Sequence, residues 1–166
     1  MAIIRRLRRE DALHDLVELS REFFEEYAAH HAEFFQIDQL HEDDVVDYFS
    51  RFLDTDDGSA FIAVADGKIV GYITVYIRSQ PRYWRIKRVG EISGLMVQKD
   101  YRRSGIGSRL LSEATAFCKE KGVEYCTVYT AAGNQGALEF YARNGMAPLY
   151  VTLIQAITDP NVTFQT

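Results

Sequence analysis

The segment Arg102-Arg103-Ser104-Gly105-Ile106-Gly107-Ser108-Arg109 joins a β-type apolar run to a helical one. Glycines at 105 and 107 let backbone N–H groups converge without side-chain interference. Where a helix opens, its first N–H groups have no internal partners and lie at the positive end of the dipole. A diphosphate fits such a turn with little reorganisation, and Arg102, Arg103 and Arg109 add positive charge. A Rossmann dinucleotide turn needs a third glycine at 110, where Leu110 stands. A Walker loop is also excluded, because no Lys-Ser/Thr follows the second glycine.

Two further side chains could move protons. A phenol with pKa about 10 stays protonated at neutral pH and can donate a proton to a departing anion. Tyr141 is the candidate for that part, or else a packing aromatic on a stripe with Ala137 and Leu138. Glu91, eleven residues before Arg102, is the candidate base, acting through a water, or else a polar residue of a solvated strand. Strand alternation puts it on the same side as Ser93 and Leu95. Asn134 suits a helix N-cap. His30, His31 and His41 show no spacing of the His-Glu-x-x-His kind and the cysteines lie far away, so no metal is expected.

The elements that must carry these residues can be traced along the chain. A short strand covers 2–7, and a helix begins after Asp11, the expected N-cap, with Leu13, Leu16, Val17, Phe23, Phe24 and Tyr27 at helical spacing. A second helix spans 41–53, turning Val45, Val46, Phe49 and Phe52 inward. Runs 61–65 and 69–77, split by Asp66-Gly67, form a hairpin. A basic, aromatic loop at 82–88 leads to a strand over 89–97, and a helix then runs from Ile106 to Lys121-Gly122. A strand at 125–130, a helix at 134–143 closed by Asn144-Gly145, and a last strand at 149–157 complete the series. This order implies an α/β (α+β) fold with a mixed sheet flanked by helices, in one domain over 1–166.

The pattern Arg102-x-x-Gly105-x-Gly107, with a strand before it and an amphipathic helix after it, resembles the signature motif of the GNAT superfamily of N-acetyltransferases. A second segment, Asn134-Gln135-Gly136-Ala137-Leu138-Glu139-Phe140-Tyr141-Ala142-Arg143-Asn144-Gly145-Met146, is similar to that family's Asn-x-x-Ala-x-x-x-Tyr-x-x-x-Gly-Phe, with methionine in place of the phenylalanine. The resemblance covers nearly the whole chain. It implies a central, mostly antiparallel mixed sheet and acetyl-CoA as acyl donor. Leu95, Met96 and Val97 would pair through their backbones with the pantetheine arm, and the amides from Arg103 to Ser108, with Ser104, Gly105, Ile106 and Gly107 between them, would hold the pyrophosphate. It also puts Tyr141 beside the thioester sulfur, lets Asn134 touch the cofactor, and gives Glu91 the register of the catalytic glutamate in the histone-acetylating branch. Tyr129 stands where other branches carry a glutamate. The activity implied is direct acetyl transfer to an amine in a ternary complex; a non-catalytic acyl-CoA sensor of the same fold is the alternative.

Charge bears on partners. Residues 10–57 hold sixteen acids against Arg21 and Arg51, while the whole chain carries a net charge of −5. An acidic face suggests a cationic acceptor such as a polyamine, aminoglycoside, lysine side chain or peptide amine, or else solvated helix surfaces. A net acidic chain is not expected to bind nucleic acid, and no apolar run reaches the length of a membrane span. A homodimer is admitted by the loop at 82–88, which shapes a substrate mouth, packs on another subunit or is a solvated hairpin tip. Cys118 and Cys126 read as buried, reduced thiols in a cytoplasmic protein without a secretory leader.

Overall fold

The computed structural model describes residues 1–158. The β-branched and aromatic runs form one sheet whose strands lie side by side in chain order: β1 (Ile3–Arg6), β2 (Gly58–Ala65), β3 (Lys68–Ser79), β4 (Arg88–Val97) and β5 (Cys126–Val128). The first four pair antiparallel, and β5 lies parallel to β4. The helices are α1 (Leu13–Ala28), α2 (Glu42–Ser50), α3 (Ile106–Glu120) and α4 (Gln135–Arg143).

Two apolar layers hold the sheet. On one face α3 sets Ile106, Leu110, Ala114 and Phe117 against Ile73, Val75 and Ile92. These α3 positions recur every three or four residues, so one stripe of the helix is buried and the rest is wet. On the other face Leu16 and Val17 of α1, with Val45 and Phe49 of α2, cover Ile62, Tyr72 and Met96. The side chain of Phe49 meets the ring of Tyr72 edge-on at 5.0 Å between centroids, a favoured aromatic geometry.

Three expectations need correction. Asp11 does not cap α1; Ala12 occupies that position, and the Asp11 carboxylate takes two hydrogen bonds from Arg5, at 2.8 and 2.5 Å, and one from the Arg8 N–H. The guanidinium of Arg5 holds the Asp11 carboxyl below its usual range. The second helix is shorter than expected, because its last turn tightens into a 3-10 turn at Arg51–Leu53, while His41 and Asp44 form its capping box. The last strand at 149–157 does not form. A strand exists by pairing, and among the described residues no neighbour pairs with this segment, whose apolar side chains stand exposed.

Close packing between α3 and the sheet turns on Gly90. A Cβ there would lie 2.2 Å from Cys118 Sγ and 3.6 Å from Cys126 Sγ. Gly90→Ala is therefore expected to destabilise the fold by about 1–3 kcal/mol, the usual cost of overpacking. Urea unfolding should show that loss, and Gly90→Ala/Cys118→Ala should recover part of it. Equal midpoints for the single variant and the wild type would refute the packing argument.

Candidate active site

Strand β4 is the spine of the site. It pairs with β3 along its whole length, but with β5 only through Gly90–Cys126, Glu91–Thr127 and Ile92–Val128. Beyond Ile92 the two parallel strands part, and among the described residues no strand lies beside the β5-facing backbone of β4 from Ser93 to Val97. Leu95, Met96 and Val97 lie in this stretch. A cavity of about 540 Å³ opens there, bounded by β4, by Val128 to Thr130, by Asn134 and Tyr141, and by α1 with the segment after it. An extended chain with amides could add to the free edge as another strand would.

A bulge shapes this edge. Thr74 pairs with Gly94 but Val75 pairs with Ile92, so Ser93 is the extra residue. Its hydroxyl reaches Tyr48 at 2.8 Å and Thr74 at 2.9 Å, under α2. Leu95 instead packs with Ile92 and Val97 on the α3 side. The expected common side holds for Glu91 and Ser93 but not for Leu95, because one inserted residue reverses the alternation beyond it.

At the end of β4 the glycine turn opens α3. Gly105 is its N-cap with φ 81°, a left-handed conformation that other residues adopt only with strain. The first helical bond runs from the Arg109 N–H to the Gly105 carbonyl at 3.1 Å. The N–H groups of Ile106, Gly107 and Ser108 therefore precede any helical acceptor and point out of the helix start. Gly107 also governs packing between helices. A Cβ there would stand 3.1 Å from the Phe140 ring, so the small residue lets α4 lie against α3.

The arginines around the turn play different parts. Arg102 does not extend into the turn. Its Nε donates to the Val97 carbonyl at 2.7 Å and its Nη2 to Glu26 at 2.8 Å, which ties α1 to the end of β4. Arg109 donates to the Ala2 carbonyl at 3.0 Å. Arg103 (φ 59°) and Ser104 remain at the turn itself, where the Ser104 hydroxyl donates to the Tyr101 carbonyl.

Tyr141 lines the cavity from α4. Helix α4 is fixed at both ends: the Asn134 side chain accepts from the Ala137 N–H at 3.1 Å, so the expected cap is present. At the other end Gly145 (φ 84°) donates to the Ala142 carbonyl, and the Met146 N–H to that of Tyr141, both within 3.1 Å. That is a Schellman closure, with Met146 packed in the apolar layer. Burial first, then Tyr27 and Cys126, push the Tyr141 phenol up to about 12. The phenol is therefore a proton donor throughout the neutral range.

Glu91 lies in the same cavity, 8% exposed, but it is not alone. Oε2 accepts from Arg78 Nε at 2.7 Å, and Oε1 from the hydroxyl of Tyr76. Burial and then Glu91 push that phenol up to about 12, and the hydrogen bond to Glu91 raises Arg78 further. Sequence reasoning missed both partners. The signal was present: counting back from the hairpin tip sets Tyr76 opposite Glu91. It also missed the aromatic wall, in which Phe23, Tyr27 and Phe35 come from α1 and the stretch after it. Tyr27 meets Phe23 at 5.5 Å and Phe35 at 4.5 Å between centroids. His30 lines the cavity, whereas His31 Nδ1 accepts from the Phe34 N–H.

An open mixed sheet with a parted pair of strands and a glycine turn at the parting is an N-acetyltransferase fold. Family comparison makes this specific. The model of the acetyltransferase (GNAT) family matches residues 13–146, and the chain belongs to that family. An uncharacterised N-acetyltransferase of Methanocaldococcus jannaschii is 30% identical over 98 residues, 59% of this chain and 43% of that protein. An N-alpha-acetyltransferase of Arabidopsis thaliana is 36% identical over 85 residues, 51% of this chain and 43% of that one. The chain thus spans less than half the length of either relative. Among solved structures, a mutant protein from Bacillus halodurans superposes with a TM-score of 0.82 at 19% identity, covering 94% of this chain and 99% of that one. The aminoglycoside N-acetyltransferase AAC(6')-Iy in complex with CoA superposes with a TM-score of 0.71 at 17% identity, over 95% and 100% of the two chains. At these identities the likeness establishes the fold.

The raised phenol gives a pH signature. The folded chain keeps Tyr141 neutral up to about pH 12, whereas an unfolded tyrosine ionises near 10. Its contribution to stability is complete below pH 10 and is lost as pH rises through the folded value. Tyr141→Phe should therefore flatten the fall of unfolding free energy between pH 10 and 12, by up to about 1.4 kcal/mol per pH unit. Denaturant titrations across that range would measure it; identical slopes would contradict the buried phenol.

Proposed function

We propose that this chain transfers an acetyl group from acetyl-CoA to a primary amine. The observation that carries the reading is the free edge of β4 ending at unpartnered amides of α3, a path suited to an amide-bearing arm followed by a diphosphate. In this reading the backbone of Leu95, Met96 and Val97 pairs with the pantetheine arm, and the turn from Arg103 to Ser108 holds the pyrophosphate. Arg102 serves as a strut between α1 and β4, acting on the site indirectly.

The neutral amine attacks the thioester carbonyl, the C–S bond breaks, and the thiolate takes a proton from the Tyr141 hydroxyl. The amine's proton leaves toward Glu91 through water. A backbone N–H near Leu95 or Met96 is the donor for the developing oxyanion. No acyl-enzyme is required, since Cys118 is buried within the α3 layer. The acceptor is an amine; an aminosugar is supported by the likeness to an aminoglycoside and a glucosamine-6-phosphate N-acetyltransferase, an α-amine by the likeness to an N-alpha-acetyltransferase. A second reading, a non-catalytic acyl-CoA sensor, is favoured by one feature: both carboxylate oxygens of Glu91 already have partners.

Calorimetry with CoA should show binding, weakened by Gly105→Val, which strains the turn. With acetyl-CoA and a panel of amines, thiol release should be detectable. Tyr141→Phe should lower kcat about 10²-fold, the range for a lost general acid, while CoA affinity stays within about twofold of the wild type. CoA binding without thiol release from any amine would favour the sensor; no CoA binding by folded protein would remove both readings.

A further inference from the structure

Beside the cleft lies a second cavity, of about 280 Å³, between α1, α2 and the sheet. The two meet at the bulge of β4, because Ser93 and Gly94 border both, as do Phe23 and Phe24. Leu40 and Val45 join those rings in an apolar wall. Among the described residues no basic side chain lines this space.

Its floor carries three hydroxyls in a closed ring. Tyr48 Oη stands 2.9 Å from Thr74 Oγ1 and 2.8 Å from Ser93 Oγ, and those two are 2.9 Å apart. Among the described residues the three have no other hydrogen-bond partner. A hydroxyl has one proton to give and two lone pairs to receive. Three hydroxyls bound only to one another are satisfied when each donates once around the ring. All three protons are then spent, and each oxygen keeps one lone pair. Thr74 is fully buried, so its proton has no water to turn to. The ring therefore presents acceptors and no donor. The other hydroxyls of the lining, Ser20 and Tyr72, are bonded to each other and at most 5% exposed. Asp44 adds a carboxylate, whose Oδ2 accepts from the His41 N–H at 3.3 Å. A Cβ on Gly94 would come within 3.3 Å of Thr74 Oγ1, so the bare backbone leaves room in front of the ring.

We propose that the hydroxyl ring of Tyr48, Thr74 and Ser93 determines acceptor specificity by seating a second ammonium group of the acyl acceptor, carried on a short apolar stem. The stem lies among Phe23, Phe24, Leu40 and Val45, and the ammonium donates to the lone pairs that the ring leaves free. An ammonium is donor only, and Asp44 balances its charge. An ether oxygen in its place would set lone pairs against lone pairs and lose the hydrogen bonds it made in water. A methyl group would leave the ring's acceptors without water or partner. Discrimination thus rests on the direction of hydrogen bonding, which the ring's committed protons fix in advance. The identity of the occupant as the acceptor rests on the acetyl-transfer reading.

Calorimetry on the CoA-saturated protein, with no acetyl group to transfer, tests the ring directly. Three probes of equal length serve: butane-1,4-diamine, pentylamine and 3-methoxypropylamine, whose far ends are an ammonium, a methyl group and an ether. The diamine should bind at least about tenfold more tightly than either, the worth of one hydrogen bond to a charged group. Ser93→Ala and Tyr48→Phe each leave two hydroxyls, which share one bond and free one proton. In both variants the diamine's advantage over the ether should fall below about threefold. Equal binding of the three probes, or an advantage that survives in both variants, overturns the proposal. Thiol release from acetyl-CoA with the same amines is read in parallel. Release without a diamine preference in binding leaves acetyl transfer standing and removes the ring's role. A diamine preference without release from any amine removes acetyl transfer, and with it the acceptor as occupant, while the ammonium site stays.

Discussion

Cys126 to Val128 pair with Gly90 to Ile92, and past Ile92 the two parallel strands separate. Buried or partly buried backbone groups need partners, and among the described residues no strand supplies them on the β5 side of β4 between Ser93 and Val97. The length of β5 therefore sets the length of the cleft. Each other feature of the site keeps that parting in place. The bulge at Ser93 bends β4 where the partner leaves it, and its hydroxyl is fastened to Tyr48 and Thr74. Arg102 holds the far end of β4 to α1 through Val97 and Glu26. Gly107 lets α4 approach α3 closely enough for Tyr141 to face the opening.

The site therefore belongs to backbone geometry more than to charged side chains. Arg102 and Arg109 are engaged in structural bonds to Val97, Glu26 and Ala2. A diphosphate at the turn would meet mainly amides and the start of the α3 dipole, with Arg103 as a nearby cation. That arrangement fits an anion of fixed geometry, since amides fixed by a helix do not reorganise when the ligand arrives. A buried carboxylate held by an arginine and a phenol is likewise rigid. Both Glu91 oxygens already accept hydrogen bonds, from Tyr76 and Arg78.

Much of this was legible in the residues. Glycine spacing, the strand before it and the stripe after it located the turn, because those signals are local. The hairpin at Asp66-Gly67 and the cap at Asn134 were legible for the same reason. What escaped depends on contacts across the sheet. No local signal marks Ser93 as a bulge, so the alternation was carried one residue too far, and Leu95 was set on the wrong side. Asp11 has the composition of a cap but finds a stronger partner in Arg5, six residues back on the neighbouring strand. The run at 149–157 has strand composition, and composition is only half of a strand; the other half is an edge to pair with.

The acid excess in 10–57 is a harder case, since charge counting suggested a cationic acceptor. The structure assigns several of those acids elsewhere. Asp11 is tied to Arg5, Asp15 accepts from the Ile69 N–H at 2.9 Å, Asp54 pairs with Arg9, and Glu26 is shared between Arg102 and Lys99. Among the described residues, the acids that line the cavity are Glu26 and Glu91, both paired with arginine. The wall facing them is built from Phe23, Tyr27 and Phe35. An amine entering this cleft would meet aromatic faces and carboxylates whose charge is already balanced. Recognition of a cation would then rest on ring faces, worth about 0.5–2 kcal/mol each, rather than on a field of unpaired acids. Selectivity for such an amine would then be a matter of shape and stacking along α1 more than of the net charge of the segment that contains it.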